Sequence, residues 1–281
     1  MNVKVLVCCH KESKLPSDER YLPIHVGKAL SKQELGIVGD ETGDNISKKN
    51  SSYCELTGMY WAWKNLKGVD IIGLCHYRRF FDFHHQCQSI FPITSFPTSD
   101  YDNVDLSISD EVLASLDEHT VLVTSPIRYN MSLYADYCCQ HVSDDFSTLL
   151  NVILEKKDKD LENAFFKVMF QNNKLRHYNM FMMKWNLFDN YCSWLFDILE
   201  KVEQRTDISN YNPVQKRIYG YMAERLLNVY IERYSLKPIE KKVIWFNDEV
   251  QLGRSKISYL VRSWMLDLGM ALTAPKRLIL K

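Results

Sequence analysis

Short apolar runs with polar termini recur along the chain and predict the strands of a buried sheet. Val3–Val7 is rich in β-branched residues, Val69–Cys75 is almost wholly apolar, and Thr120–Thr124 reads TVLVT. Runs of this length and composition are typical of strands covered on both faces. A further strand is expected at 37–38, an edge strand at 241–246, and a short apolar segment with a buried amide, Asn179, at 178–183.

Between these runs, apolar residues recur at helical spacing and predict helices. Ser51 or Ser52 can cap a helix that ends at Gly68. Asn212 followed by Pro213 is a cap with a first-turn proline and predicts a helix to about residue 234. Strands that alternate with helices predict an α/β fold with a mostly parallel sheet flanked by helices. Other helices are expected at 21–35, 112–116, 149–170 and 187–202, with a long loop at 82–105.

Polar residues follow two of the predicted strands at the point where each strand ends. His10 and Lys11 come after the first strand, and a histidine, a tyrosine and two arginines follow the strand at 69–75. In an open α/β sheet, ligands bind beyond the carboxyl ends of the strands, and arginines form paired contacts with phosphate oxygens. Taken singly, Lys11 is also typical of a surface lysine. The second group is His76, Tyr77, Arg78 and Arg79.

A polar, turn-rich loop and the helix after it add carboxylates and amides next to the same strand. Asp40, Asp44 and Asn45 lie in the loop, and Glu55 lies on the helix. Each of them alone is typical of the solvated edge of an ordinary strand–helix–strand unit. Their convergence with the arginines predicts a binding site around this unit.

Two other polar groups have two interpretations each. Helical spacing would place His141 on the same helix face as Asp144 or Asp145. A histidine beside a carboxylate can act as a proton-transfer pair, and such pairs are also common as plain surface pairs. Arg217 and Glu224 lie two helical turns apart, and they either face the site or form an internal ion pair.

Composition narrows the class of protein. The chain has 281 residues, 46% of them hydrophobic, which is enough for one large α/β domain. Lys plus Arg and Asp plus Glu both number 35, so no overall charge favours nucleic acid. The eight cysteines include adjacent pairs and no CxxC spacing, which indicates a reduced, cytosolic compartment. The N-terminal MNVKVLVCCHK reads as a first strand and not as a signal peptide.

Sequence motifs for metals and nucleotides are weak in this chain. GxGxxG and GxxxxGK[ST] do not occur. DxD, a pattern that binds a metal–diphosphate, occurs at 100–102 and 158–160, but neither copy follows an apolar strand. His84, His85 and Cys87 lack a second ligand pair at a recognised spacing, so a structural zinc site is not expected.

The C-terminal segment differs in charge from the rest of the chain. From Arg254 onward there are six basic side chains and one acid, Asp267. Residues 256–281 predict a basic amphipathic helix with Trp264 on its apolar face, which is typical of a helix that lies in an anionic membrane interface. The alternative is a helix packed on the domain or on a second subunit. No apolar run reaches the roughly 20 residues of a membrane span, and the expected division is 1–250 for the domain and 251–281 for the tail.

Five blocks of sequence together resemble one known family. They are YLPIHVGKAL, VGDETGDNISKKNSSYCELTGMYWAWKN, IIGLCHYRRFF, YNMFMM with a following YCSWLF, and RIYGYMAERLLNVY. The chain up to about residue 231 resembles the bacterial capsule and lipopolysaccharide glycosyltransferases grouped as DUF4422. The segment after Arg254 lies outside the resemblance.

The resemblance implies a GT-A-like fold with a C-terminal helical extension, and transfer of a hexose, galactose or galactofuranose in some members, from a UDP-sugar. The implied acceptor is a polyprenyl-diphosphate-linked surface polysaccharide at the cytoplasmic face of the inner membrane. In GT-A folds a strand ends in DxD, whose carboxylates hold Mn or Mg on the donor diphosphate. Here the corresponding strand ends in His76–Arg79, so we expect cationic side chains to neutralise the leaving diphosphate in place of a metal. This departure from the family pattern leaves Mn or Mg as an alternative and puts a requirement for either ion in doubt.

The alternative to an enzyme is a non-catalytic carbohydrate- or nucleotide-binding subunit of a polysaccharide assembly complex. Nucleic acid is not an expected partner, and the sequence leaves the oligomeric state open. The expected roles are donor binding by His10, Lys11, Asp40, Asp44, Asn45, Glu55 and Tyr77; leaving-group stabilisation by His76, Arg78 and Arg79; proton transfer by His141, Asp144 or Asp145; and acceptor-side contacts by Asn179, Arg217 and Glu224.

Overall fold

The structure is a computed structural model that describes residues 1–249 and 256–276. By its internal contacts the chain divides into two compact units. Unit 1 comprises Met1–Ser125, Tyr178–Cys192 and Lys237–Gln251, and unit 2 comprises Pro126–His177, Ser193–Leu236 and Leu252–Lys281.

The described residues form strands and helices that alternate along the chain. The strands are β1 Val3–Cys9, β2 Tyr21–His25, β3 Val38–Gly39, β4 Ile71–His76, β5 Arg79–Phe81, β6 Ile93–Phe96, β7 Thr120–Thr124, β8 Ile127–Arg128, β9 Lys174–Leu175, β10 Phe181–Lys184, β11 Lys237–Lys241 and β12 Val243–Phe246. The α-helices are α1 Asn50–Tyr53, α2 Leu56–Asn65, α3 Asp110–Ala114, α4 Leu133–Gln140, α5 Ser143–Glu155, α6 Lys159–Phe170, α7 Trp185–Glu203, α8 Ile218–Arg233 and α9 Lys256–Thr273.

Unit 1 is built on a mixed sheet whose central order is β11-β7-β10-β4-β1-β2-β3. Strands β4, β1, β2 and β3 run parallel, as do β7 and β11. Strand β10 is antiparallel between β4 and β7. Cys8 pairs with His76 and Cys9 with His25, so the carboxyl ends of β1, β2 and β4 lie at one edge of the sheet. This edge carries the polar residues that the sequence places after the strands.

Two glycines allow close packing in unit 1, one within the sheet and one on a helix beside it. A Cβ at Gly73 in β4 would lie 2.6 Å from Met182 Cγ and 3.0 Å from the carbonyl oxygen of Phe181 in β10. A Cβ at Gly58 in α2 would lie 2.8 Å from Val26 Cγ1. Because interiors are close-packed, these positions accept no side chain without displacement of their neighbours.

Unit 2 is mainly helical. Helix α6 packs against α8, and α4 and α5 pack beside α6. Phe146, Phe165 and Met169 are buried in this layer. Strands β8 and β9 form a small antiparallel sheet. Among the helices of the described residues, none is long and apolar enough to cross a bilayer.

Several expected elements are confirmed. The first strand extends to Cys9, Thr120–Thr124 is β7, and the strand expected at 69–75 is β4. The helix expected at 187–202 is α7. Asn212 Oδ1 accepts hydrogen bonds from the backbone N–H groups of Val214 and Gln215, both at 2.9 Å, as a capping residue does. A 3-10 turn at Gln215–Arg217 then precedes α8.

Other expectations were wrong where tertiary pairing or a local break outweighed helical spacing. Residues 21–35 contain strand β2, which pairs with β1, and only a 3-10 turn at Lys28–Leu30. The segment 82–105 was expected to be a long loop, but it contains strand β6, which pairs with β12. Strand β12 is not at an edge, because it lies between β5 and β6.

Three expected helices are broken by single residues. The helix from Ser51 is interrupted at Cys54, whose φ is 52°, and α2 ends at Asn65 and not at Gly68. The helix at 149–170 is two helices, because Lys157 has a φ of 50° and Asp158 caps α6. His141 adopts an extended conformation after α4, so it shares no helix with Asp144 and Asp145 in α5. The tail forms α9 over Lys256–Thr273, and positions 250–255 and 277–281 lie outside the described residues.

Candidate functional site

The site in unit 1 begins where β1 and β4 end side by side. The pairing of Cys8 with His76 brings the segment after β1 next to the turn between β4 and β5. His10 and Lys11 lie in the first segment and are exposed. The structure therefore brings these two residues together with Tyr77 and Arg78, which are 66 or more positions away in the sequence.

Tyr77 is the centre of this group. Its ring is 6% exposed, and the His10 ring lies 5.0 Å from it in an edge-on arrangement. Lys11 Nζ lies 5.8 Å and Arg78 Cζ 5.1 Å from the centre of the same ring, within cation–π distance. We refer to His10, Lys11, Tyr77 and Arg78 as the Tyr77 cluster. It concentrates positive charge at the carboxyl ends of two parallel strands.

Arg78 and Arg79 have different surroundings. Arg79 Cζ lies 4.6 Å from the Tyr178 ring centre and 5.1 Å from the Trp245 ring centre. Among the described residues, the buried Nε atoms of both arginines have no hydrogen-bond partner. A buried donor without a partner is costly, and such groups are often completed by a bound ligand or water.

His76 and Asn179 bring a strained turn into the same edge. His76 Nε2 lies 2.7 Å from the backbone oxygen of Tyr178. Tyr178 and Asn179 have φ values of 73° and 51°, a left-handed conformation that is uncommon outside glycine. Asn179 is buried, and its Nδ2 donates to Glu55 Oε1 at 2.7 Å. Glu55 directly follows Cys54, which is also left-handed. Backbone strain of this kind clusters at functional sites.

The loop after β3 is held mainly by its own hydrogen bonds. Asp40 is fully buried, and its carboxylate accepts the N–H groups of Gly27 at 2.8 Å and Lys28 at 3.1 Å. Asn45 Nδ2 donates to the backbone oxygens of Glu41 and Gly43. Asp44 is exposed and accepts a hydrogen bond from Tyr60. These contacts give Asp40 a bracing role in the fold, and donor binding by the three residues remains a prediction.

The three residues expected in proton transfer belong to unit 2 and have separate partners. His141 stacks on Tyr221 with ring centres 4.2 Å apart. Burial, with a contribution from Arg225, lowers the pKa of His141 to about 4. Asp145 is buried, accepts a hydrogen bond from Tyr211 at 2.8 Å, and has a raised pKa because of burial. Asp144 is exposed at the start of α5.

Unit 2 also contains a buried polar group that the sequence did not indicate. Arg225 is 4% exposed, and its Nη2 donates to Asp136 Oδ2 at 3.2 Å. Glu224 Oε2 lies 3.8 Å from His177 Nδ1, and the other ring nitrogen of His177 lies 2.7 Å from the Tyr129 hydroxyl. Glu224 and Arg217 are the two residues for which either a position facing the site or an internal ion pair was expected, and both alternatives remain predictions. Arg217 Cζ lies 5.4 Å from the Tyr221 ring centre.

Sequence reasoning also missed Tyr178 and Trp245 beside Arg79. Trp245 lies in β12, which pairs with β5 across 166 positions of sequence, as Trp245 aligns with Arg79. No local pattern announces this contact, because a positive φ at Tyr178 and a pairing between distant strands leave no periodic signal.

The residues at the end of β4 do not fit a divalent ion. They offer an imidazole, a phenol and two guanidinium groups, whereas Mg²⁺ and Mn²⁺ prefer carboxylate and carbonyl oxygens. Among the described residues, no group of three or more His, Cys, Asp or Glu side chains is arranged to hold a metal. The chemistry derived below therefore uses only the side chains of this edge.

The family model for the domain of unknown function DUF4422 matches residues 4–235. The chain belongs to the DUF4422 family. As a DUF4422 protein it is similar in structure to WbbM, a bifunctional glycosyltransferase solved in its apo form, with 29% sequence identity and a TM-score of 0.73. The match covers 91% of this chain and 47% of the WbbM chain, so the DUF4422 protein spans about half of that relative. No curated protein sequence matches it significantly. The expected GT-A-like α/β fold is confirmed.

Proposed function

We propose that this DUF4422 protein is a glycosyltransferase that moves a sugar from a nucleoside-diphosphate donor. The Tyr77 cluster is the observation that carries this proposal. It gathers one imidazole, one ammonium and one guanidinium group at the carboxyl ends of β1 and β4, where ligands of open α/β sheets bind. The structural similarity to a bifunctional glycosyltransferase supports the same reaction class.

The proposed chemistry is electrostatic. When the bond between the sugar and the diphosphate breaks, negative charge grows on the leaving oxygen. Lys11 and Arg78 would donate charge-assisted hydrogen bonds to that diphosphate, with Tyr77 as the surface on which both cations rest. The unpartnered Nε of Arg78 would gain an acceptor in the complex. His76 at the end of β4 and Arg79 at the start of β5 would support the same charge.

The bond between Glu55 and Asn179 joins residues proposed for the donor side and the acceptor side. We propose that this pair orients the sugar hydroxyls, since a carboxylate and an amide are suited to hydroxyl recognition. Asp44 and Asn45 would complete the donor side. The proton acceptor is proposed among His141, Asp144 and Asp145, with Arg217 and Glu224 on the acceptor side.

The finer assignments extend the same proposal. The donor is proposed to be a UDP-hexose, with galactose or galactofuranose as first candidates, and the acceptor a glycan on polyprenyl diphosphate. These substrates would place the enzyme at the cytoplasmic face of the inner membrane. Capsule, O-antigen and exopolysaccharide synthesis are the processes that use such acceptors.

A UDP-sugar panel tests the proposal directly. Purified full-length protein is screened for thermal stabilisation and then for slow donor hydrolysis, with and without EDTA. A ligand that binds only the native state raises the melting temperature, so one UDP-hexose should stand out. Hydrolysis that persists in EDTA supports cationic leaving-group stabilisation. Binding with no hydrolysis and no transfer to any acceptor favours the non-catalytic binding subunit, and no binding to any nucleotide sugar contradicts the glycosyltransferase.

A further inference from the structure

Helix α9 presents a continuous apolar stripe on its exposed side. Seven large apolar residues recur at spacings of three and four positions, and each is between 44% and 76% exposed. A soluble helix normally turns such a stripe toward the core, because burial of apolar area is the main stabilising contribution. The stripe consists of Ile257, Leu260, Val261, Trp264, Met265, Leu268 and Leu272.

The opposite side of α9 is attached to unit 2 by polar contacts. Asp267 lies 3.2 Å from Arg128 Nε in β8 and 3.2 Å from Lys174 Nζ in β9. Arg262 Nη2 donates to Asn130 Oδ1 at 2.7 Å. These contacts bind the only acid of α9 on its inner side, so the helix is held with its apolar stripe facing outward.

The charges around the stripe are positive. Lys256, Arg262 and Lys276 are exposed, and the single carboxylate of the helix is paired with two cations of unit 2. An apolar stripe that includes a tryptophan and has a basic border is suited to the interface of an anionic bilayer. A second copy of this chain is a poorer fit, since a twofold pairing of α9 would oppose the same basic borders.

We propose that α9 binds the interface of a bilayer containing anionic lipids through this stripe, in an orientation fixed by the contacts of Asp267 with Arg128 and Lys174. The inference does not depend on sugar transfer, because the stripe and its attachment lie in unit 2 and outside the Tyr77 cluster. The helix lies along the surface and does not span the bilayer.

Vesicle co-sedimentation of the full chain tests this proposal. Vesicles of phosphatidylcholine with phosphatidylglycerol should bind the protein, and high salt should weaken the binding. The triple variant Leu260→Ser, Trp264→Ser, Leu268→Ser should bind at least about tenfold more weakly, because it loses apolar insertion. Val214→Ser is the matched control, as Val214 is 61% exposed elsewhere in unit 2, and it should bind like the parent.

A second measurement tests whether Trp264 inserts into the bilayer while the apolar stripe stays intact. Brominated lipids quench tryptophan fluorescence on insertion, and Trp264→Phe should remove most of the quenching while it retains vesicle binding. A far-ultraviolet circular dichroism spectrum and a cooperative melting transition like those of the parent would show that the triple variant is folded, whether or not the protein binds a nucleotide sugar. Parental vesicle binding by the triple variant would overturn the proposal, as would a dimer that the same variant dissociates.

Discussion

Asn179 donates a hydrogen bond from Nδ2 to Glu55 Oε1 at 2.7 Å, although the two residues lie 124 positions apart. Asn179 ends a left-handed pair of residues, and Glu55 follows a left-handed cysteine. The backbone oxygen of Tyr178, in turn, lies 2.7 Å from His76 Nε2 at the end of β4. One strand end, one helix junction and one strained turn are therefore linked through two hydrogen bonds.

Two substitutions at Asn179 distinguish the energetic cost of its backbone strain from the cost of losing its hydrogen bond to Glu55. Asn179→Gly and Asn179→Ala both remove the bond to Glu55, but only glycine adopts a φ of 51° without cost. Asn179→Ala should therefore lower the free energy of unfolding by about 1 kcal/mol more than Asn179→Gly does. Chemical denaturation measures both variants. Equal stability of the two would show that the turn relaxes and stores no strain.

Lys11 is expected to contribute to donor affinity. Lys11→Ala and Arg78→Ala should each weaken UDP binding by roughly ten- to a hundredfold, since a charge-assisted hydrogen bond contributes about 1.5–3 kcal/mol. Lys14→Ala is the matched control, because Lys14 lies three residues further on and pairs with Asp102 at the surface. Isothermal calorimetry gives the affinities. If Lys14→Ala weakened UDP binding by the same factor, the loss would come from the change in overall charge and not from a contact of Lys11 or Arg78 with the diphosphate.

Gly73 is expected to tolerate no larger residue. Gly73→Ala places a methyl group 2.6 Å from Met182 Cγ and 3.0 Å from a backbone oxygen of β10, so overpacking should cost about 1–3 kcal/mol. Gly269→Ala in α9 meets nothing within 4 Å and should be neutral or slightly stabilising. Thermal unfolding compares the two variants, and an unchanged melting temperature for Gly73→Ala would contradict the close packing of β4 on β10.

His177 should make stability depend on pH. Burial, with a contribution from Arg225, lowers its pKa to about 3. As pH falls below about 6.5, the unfolded chain binds a proton that the folded histidine does not, so stability present at pH 7 is lost toward pH 5. The slope should be about 1.4 kcal/mol per pH unit for this residue, and His141 adds in the same direction.

Two variants check this assignment. His177→Asn should reduce the slope by about one proton relative to the parent, and His141→Asn should reduce it in the same direction. Urea denaturation at several pH values gives the slopes. An identical slope in the parent and in His177→Asn would mean that His177 is protonated in the folded protein.

Much of unit 1 could be predicted from local pattern. Apolar runs at β1, β4 and β7 carry their own signal, because strands covered on both faces need continuous apolar residues. The sequence assigns the polar residues after β1 and β4 to one predicted site, and the pairing of Cys8 with His76 brings the two segments together. Helical spacing predicted a helix at 21–35, but Tyr21–His25 is a strand because its pairing with β1 decides its conformation.

The sequence by itself determined the α/β class, the main strands, and the concentration of cations where β1 and β4 end, because these follow from residue type and short-range spacing. Tertiary structure alone decided that Tyr178 and Trp245 enclose Arg79, that Asn179 bonds to Glu55, and that Asp267 turns the apolar stripe of α9 outward. Such contacts join residues far apart in the chain. Their energies depend on packing and burial, which no local window of sequence contains.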